Sequence, residues 1–496
     1  MEYDYDTIEI YPYNDVFIKI GCEKGLAKEL SDYFTFKVPN YQYTPAYKNK
    51  LWDGRIRLFN LHTRTIYAGL LDYVAQFIKD RNYNIKIHNF DVKENNISNE
   101  HIIKYQKNYL KLPFTPYEHQ VDAITTSINK NRCLLLSPTG SGKSLIIYSL
   151  MRYYCDIISK DKKILIIVPT TGLVSQMYND FKDYSEKLGW DVDTNCHTIF
   201  SGKSKDTDKN IVISTWQSLY KMPEKYFHQF GAVFGDECHL FKAKSLTGIM
   251  TKLKNCPYRV GTTGTLDDSL THKLVIEGLF GRVYKVTNTK DLMKKDLLST
   301  LKIECITLKY TPKEILENKR VSYNDEIKWL INSNKRNTFL IDLCCKIKGN
   351  TLILFNYVQE HGIPLHKNIK SKCQNKKVFL IHGKTDVEQR EEIRHILDKE
   401  TDAVLVASYG TCSTGINIKN INNIVFASPS RSVIRVLQSI GRGLRRTNTK
   451  NKVKLYDISD DFRYLKYVNH TYRHLQERIK IYEREMFDYE NIFVQL

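Results

Sequence analysis

The chain has 496 residues, with 75 Lys and Arg against 55 Asp and Glu, a formal net charge of +20, and 42% hydrophobic residues. That length exceeds the roughly 250–300 residues that one hydrophobic core serves, so two to four domains are expected. The hydrophobic share excludes a disordered chain, and the positive field favours a polyanionic partner, either nucleic acid or an anionic membrane surface.

Eleven cysteines are scattered without C-x-x-C spacing. They read as free buried thiols in a reducing cytosol, not as a disulfide framework or a zinc site. The start, Glu2-Tyr3-Asp4-Tyr5-Asp6, is acidic where a secretory signal would be basic. No window approaches 18 uninterrupted apolar residues, so a soluble cytoplasmic protein without a membrane partner is expected.

Residues 1–109 read as a small α+β domain. Ile8-Glu9-Ile10 and Val16 to Ile20 predict strands, and Gly25 to Tyr33 a short helix. Asp53-Gly54, between alternating flanks, predicts a hairpin turn. Lys48, Lys50, Arg55 and Arg57 surround it, with Trp52 and several tyrosines interleaved. Basic and aromatic side chains together suit phosphate contact and base stacking, although Trp52 and the tyrosines could equally pack a small core.

Tyr117 to Asn129 predicts a helix after the prolines at 113 and 116. An apolar run, Cys133 to Leu136, then leads into Ser137-Pro138-Thr139-Gly140-Ser141-Gly142-Lys143-Ser144 and a second apolar run. Strand, glycine-rich turn and helix start are the context of a phosphate-binding loop. Its backbone N–H groups, those of Thr139 and Ser141 included, would cradle phosphates. Gly140 and Gly142 allow close approach, Lys143 reaches the β/γ-phosphates, and Ser144 ligates Mg²⁺. Ser137 stands where the pattern usually has glycine. A nucleoside triphosphate with Mg²⁺ is therefore the expected cofactor.

Short apolar strands and helices alternate from there: Ile164 to Val168, Ile211 to Thr215, Ala232 to Gly235 and Tyr258 onward. Such a pattern predicts a doubly wound parallel sheet with its chemistry in the loops at the strands' carboxyl ends. The third strand delivers Asp236-Glu237-Cys238-His239. Asp236 is placed to hold Mg²⁺ and Glu237 to orient the attacking water.

Val286 to Asn350 is lysine-rich and reads as helical, and a second alternating set follows: Thr351 to Phe355, Val378 to Gly383, Ala403 to Ser408 and Ile424 to Ala427. This predicts a second doubly wound domain without a phosphate loop. In it Arg442 and Arg445, three apart on one helix face, could offer guanidinium groups to a triphosphate on the first domain. The expected division is 1–109, 110–285, 286–460 and a helical tail, 461–496.

In order, Gln120, the phosphate loop, Pro169-Thr170-Thr171, Ser214-Thr215-Trp216-Gln217, Asp236-Glu237-Cys238-His239, Thr263-Gly264-Thr265, Ser413-Thr414-Gly415-Ile416-Asn417 and Gln438…Arg442…Arg445 resemble the motif set of a superfamily-two helicase. That resemblance implies two RecA-like domains and ATP as the nucleotide. It implies that Tyr117 and Gln120 hold adenine, that Gly415, Asn417 and Gln438 join the nucleotide site, and that Pro169, Thr170, Thr215 and Thr414 grip a nucleic-acid backbone.

Trp52-Asp53-Gly54-Arg55-Ile56-Arg57-Leu58 and Asp236 to Leu240 carry a closer likeness, to the phage UvsW-type recombination helicases. This implies ATP-driven branch migration and unwinding of D-loops and R-loops in replication, recombination and repair. The implied partners are branched or duplex DNA, RNA–DNA hybrid and recombination proteins. An RNA helicase and the motor of a restriction nuclease remain alternatives.

Overall fold

The computed structural model describes residues 6–39, 41–88, 95–200, 202–241, 243–266, 270–411, 420–428, 432, 440–441, 444 and 452–496. Two compact units divide the chain. One comprises residues 1–137 and 142–286, the other residues 287–496 with the short turn 138–141.

Among the described residues, the main sheet of the first unit has seven parallel strands. In spatial order they are Val283–Lys285, Arg132–Leu136, Tyr258–Thr263, Phe230–Gly235, Lys163–Val168, Ile211–Thr215 and Cys196–Ile199. Why the strands read as unbroken apolar runs is plain from Lys163–Val168. Ile164, Ile166 and Val168 enter one hydrophobic core, while Leu165 and Ile167 enter another on the opposite face. With helices over both faces, neither side of a strand meets water. The parallel sheet expected from the alternation is what forms.

One of those cores continues into a second, four-stranded sheet built by Thr65–Tyr67, Phe17–Gly21, Thr7–Pro12 and Asn84–Ile87. The seam between them is close. A methyl group on Gly69 would lie 2.1 Å from the carbonyl oxygen of Glu277, and one on Gly278 would lie 2.9 Å from the Tyr67 side chain. Tyr73 donates its hydroxyl to Glu277 at 2.7 Å, and the other carboxylate oxygen accepts from the Val283 N–H at 3.0 Å. Partly buried Arg132, on the strand Arg132–Leu136, donates to the Asp15 carbonyl oxygen. The small sheet is thus bound to the seven-stranded core by backbone contact and polar pairs, not only by apolar area.

The expected hairpin at Asp53-Gly54 is not a two-residue turn. Arg55–Arg57 pairs antiparallel with Thr35–Lys37, and the chain between makes a long excursion through the helical turn Pro45–Lys48. The reason lies in side chains that close the loop locally. Asp53 accepts from the Arg55 N–H at 3.1 Å, the Trp52 indole donates to the Arg55 carbonyl at 2.8 Å, and Gly54 takes φ +77° under the Tyr41 ring.

The second unit's described sheet is also seven-stranded and parallel, in the order Val378–Ile381, Val404–Ser408, Thr351–Phe355, Asn423–Phe426, Lys452–Asp461, Thr300–Lys309 and Asp488–Gln495. Thr300–Lys309 lies inside the stretch read as helical. Its alternation fills two cores, Leu301, Ile303 and Cys305 on one face and Ile306 and Leu308 on the other. The tail is helical over His470–Arg484 as expected, then adds Asp488–Gln495 as an edge strand whose Ile492 and Val494 turn inward.

Among the described residues of this unit, buried charges have partners. Asp457 receives Arg478 at 2.8 Å and the Tyr482 hydroxyl at 2.8 Å, and Asp460 receives Arg336 at 2.9 Å. Glu326 closes the N-terminus of the last helix, accepting from the His470 and Thr471 N–H groups at 2.9 and 2.8 Å. The expectation of free thiols throughout is corrected by a disulfide between Cys345 and Cys373, Cα atoms 5.4 Å apart. Packing of the helices Asn334–Lys346 and Ile363–Lys372 sets that pairing, which the 28-residue spacing does not reveal. Among the described residues no helix is long and apolar enough to cross a membrane.

The Gly69 seam gives a direct test. Gly69→Ala should push the small sheet off the core and cost on the order of 1–3 kcal/mol. Limited proteolysis should then release residues before Tyr109 faster than in the parent protein.

Candidate active site

The phosphate loop begins where the buried strand Arg132–Leu136 ends. Ser137 is fully buried, and its N–H donates to the Thr263 carbonyl on the neighbouring strand at 2.8 Å. A small side chain is enough there, so serine serves in place of glycine. Ser141 closes the turn by donating its hydroxyl to the Pro138 carbonyl at 2.7 Å. Gly140 and Gly142 take φ of +86° and +87°, a region that a Cβ disfavours. Gly142 is needed twice over, because a Cβ there would lie 2.2 Å from the Gln120 side-chain nitrogen.

Gly142 starts the helix Lys143–Ile157, whose N-terminal dipole faces the loop. The Lys143 ammonium lies back over the turn and donates to the Ser137 carbonyl at 3.3 Å. The Ser144 hydroxyl shares a 2.9 Å hydrogen bond with the buried hydroxyl of Tyr184. Gln120 is buried and its carbonyl accepts the Tyr117 N–H at 2.9 Å, fixing the start of the helix Glu118–Lys130. Tyr117 is 50% exposed and stacks on His119, which leaves one aromatic face open beside the loop.

Two strands away, Phe230–Gly235 delivers Asp236 and Glu237. Burial, and next the Glu237 charge, push the Asp236 carboxyl above its ordinary range, while the Lys143 ammonium opposes them. Thr262 donates to Asp236 at 2.8 Å. The Lys143 ammonium is thereby brought into the electrostatic field of both acids.

Glu237 has φ +53°, a left-handed backbone that is uncommon outside glycine. Its carboxylate lies 3.3 Å from Nδ1 of buried His239, which is in turn 3.1 Å from the Thr263 hydroxyl. Thr263 donates onward to the Thr265 carbonyl at 2.8 Å. Sequence reasoning quoted His239 without a role and passed over Tyr184. The first has an available signal, because it stands two residues from Glu237. The second, 40 residues from Ser144, has none. Cys238 is a core residue, its sulfur filling space left by Gly235 and Gly261.

Pro169, Thr170 and Thr215 cluster at the carboxyl ends of two paired strands, Thr215 opposite Val168. Thr170 accepts the Leu173 N–H to cap the helix Thr171–Ser185, Gln217 donates to the Pro169 carbonyl at 3.4 Å, and Thr215 bonds Ser218 at 3.1 Å. Thr414, Gly415, Asn417, Gln438, Arg442 and Arg445 lie outside the described residues. Lys48, Lys50 and Trp52 line a cleft of about 620 Å³, with Arg55 and Arg57 exposed on the adjoining strand. Leu58 and Phe59 enter the core, whereas Trp52 stays half-buried at the surface.

Comparison with known proteins follows the same divisions. Residues 8–88 match the family described as DNA helicase UvsW, N-terminal; residues 111–268 match Type III restriction enzyme, res subunit; residues 335–447 match Helicase conserved C-terminal domain. The ATP-dependent DNA helicase uvsW of Enterobacteria phage T4 is 32% identical, covering 97% of this chain and 98% of that protein. The DNA 3'-5' translocase XPB2 of Sulfurisphaera tokodaii is 25% identical, covering 66% of this chain and 78% of the relative. The crystal structure of T4 UvsW aligns with a TM-score of 0.51 at 30% identity, covering 99% of each chain.

Three variants separate the roles in this corner. Lys143→Ala should abolish productive triphosphate binding. Glu237→Gln should bind ATP yet hydrolyse it at least roughly 10²-fold more slowly. Gly142→Ala, which drives a methyl into Gln120, should weaken nucleotide affinity while leaving the fold intact. Fluorescent-nucleotide binding and steady-state ATPase rates check all three, and near-normal turnover in Glu237→Gln would remove that residue from water activation.

Proposed function

The chain belongs to the UvsW-type DNA helicases, and on that footing we propose that it spends ATP to remodel branched DNA. The work is branch migration of junctions and unwinding of D-loops and R-loops during replication, recombination and repair, in the cytosol or nucleoid of the cell. Its activity as an ATP-dependent DNA helicase comes with the family. The observation that carries the finer reading is a whole-length likeness to a phage helicase, joined to a coherent ATPase corner and a basic N-terminal surface.

Within that reading, Tyr117 and Gln120 receive the adenine, and the N–H groups of residues 139–144 with the Lys143 ammonium hold the phosphates. Mg²⁺ at Ser144 and Asp236 would neutralise phosphate charge. Glu237, steadied by His239, orients the attacking water. Pro169, Thr170, Thr215 and Thr414 hold one nucleic-acid backbone. Lys48, Lys50, Trp52, Arg55 and Arg57 make a separate contact from the small sheet. Gly415, Asn417 and Gln438 join the nucleotide site, and replication and recombination proteins are the proposed protein partners.

A restriction-motor reading draws on the match of residues 111–268, but that stretch holds only the ATP-binding core. ATPase rates on single strands, duplexes, RNA–DNA hybrids and four-way junctions test the proposal. Junctions and three-stranded loops should stimulate most. Equal stimulation by single-stranded RNA would overturn the DNA-branch reading.

Arg442 and Arg445 are proposed to stabilise charge on the same triphosphate, from their spacing and motif match. Arg442→Ala should lower turnover by up to roughly 10³-fold with a much smaller change in ATP affinity. Loss of DNA affinity with normal hydrolysis would make both arginines backbone contacts instead.

A further inference from the structure

The excursion between Thr35–Lys37 and Arg55–Arg57 ends in a built cleft, not a slack loop. Thr44 caps the turn Pro45–Lys48, the Leu51 N–H donates to the Ala46 carbonyl at 2.9 Å, and the Val38 N–H donates to the Gly54 carbonyl at 2.9 Å. Gly54 is pinned at φ +77° beneath Tyr41, whose ring meets Tyr47 edge-on at 4.7 Å. Gln42, Tyr47, Lys48, Lys50, Leu51 and Trp52 face the same space of about 620 Å³. Leu51 is 81% exposed at its tip, next to Lys50 at φ +56°.

Each group has its chemistry already sorted. The Trp52 N–H is satisfied by the Arg55 carbonyl, so its remaining offer is a fixed ring face. Asp53, the one acid on the cleft, is held by Arg57 and its charge is neutralised. What is left is an aromatic wall, an aliphatic tip, one amide and a rim of two lysines. A lysine rim matches phosphates, and Gln42 can both donate to and accept from a base edge. The ring faces and the leucine have nothing to gain from an intact duplex, where base faces are stacked away and only groove edges and backbone are presented. They do gain from a base that has left the stack.

We propose that this cleft takes an unpaired nucleobase at a DNA branch point, with Leu51 lying against the first remaining pair. The proposal rests on the nucleic-acid reading of the small sheet given above. The cleft's own two-stranded sheet, Thr35–Lys37 with Arg55–Arg57, packs Phe36, Ile56, Leu58 and Phe59 against the hydrophobic core that the ATP-binding strands share, which anchors the cleft to that core. A base held there is displaced whenever the core moves along the backbone.

The test uses the full chain with forked and blunt duplexes of equal length, the fork carrying 2-aminopurine at its first unpaired position. Leu51→Ser, at a tip too exposed to upset folding, and Trp52→Ala should each lower fork affinity roughly ten-fold. Blunt-duplex affinity should fall far less, and the 2-aminopurine signal of the bound fork should revert to that of free single strand. Trp52→Phe should restore most of the effect, which keeps the result readable if Trp52→Ala is poorly folded. Equal losses on fork and duplex would overturn the base cleft and leave a plain backbone contact. A Lys48→Ala/Lys50→Ala double variant measures that contact separately. If it leaves both affinities and the salt dependence unchanged, the small sheet does not touch nucleic acid, and the cleft proposal falls with it.

Discussion

A buried carboxylate crowded by a second one is the constraint that the first unit is built to hold. Asp236 and Glu237 meet at the end of a parallel strand, where burial and the neighbouring Glu237 charge disfavour the charged form of Asp236. The fold answers with an ammonium from the phosphate loop, a hydroxyl from Thr262 and an imidazole from His239. The first two come from other elements, and only His239 from the acids' own segment. The corner therefore exists only when Arg132–Leu136, Tyr258–Thr263 and Phe230–Gly235 lie side by side, which the sheet order provides. A site with this charge arrangement is poised for a divalent cation and a polyphosphate, because those ligands relieve what the protein alone only balances.

The small N-terminal sheet shows the same economy of means at a seam. Apolar area alone would let it slide, since hydrophobic contact is not directional. Glycine opposite backbone at residues 69 and 278 sets the distance, and the Tyr73–Glu277 and Arg132–Asp15 pairs set the register. The same Arg132 begins the strand that leads to the phosphate loop. The seam of the small sheet and the phosphate loop are consequently tied to the same strand of the core.

Much of this was legible in the sequence because it is local. The phosphate loop, the apolar strands and the acid pair each occupy fewer than ten consecutive residues, and their physics needs no distant partner. Four things were not legible, each for a stated reason. Thr300–Lys309 has ambiguous periodicity and lies among helices, so only its place between two other strands identifies it. Asp53-Gly54 carries a strong turn signal, yet Trp52 and Tyr41 recruit it to close a longer loop. Cys345 and Cys373 are brought together by helix packing that no spacing rule encodes. Ser144–Tyr184 belongs with these, since a hydrogen bond across two helices leaves no mark on either.

One register ties the corner together. Gly235 pairs with Gly261, and both must be glycine because the Cys238 sulfur occupies the space a Cβ would need. The residues that follow on each strand then fall opposite one another, with successive side chains pointing to alternate faces. Thr262 meets Asp236 while Thr263, on the other face, meets His239 and through it Glu237. A slip of one residue would exchange the two threonines and leave both carboxylates without their partners. Thr263 also accepts the Ser137 N–H through its carbonyl, so the strand that reads the two acids is bonded directly to the first residue of the phosphate loop. Ser137, Thr263, His239 and Glu237 thus form a short chain of contacts from the first residue of the phosphate loop to the Glu237 carboxylate. Those contacts run through a strand whose own sequence, Tyr-Arg-Val-Gly-Thr-Thr, carries no charged group at its active end.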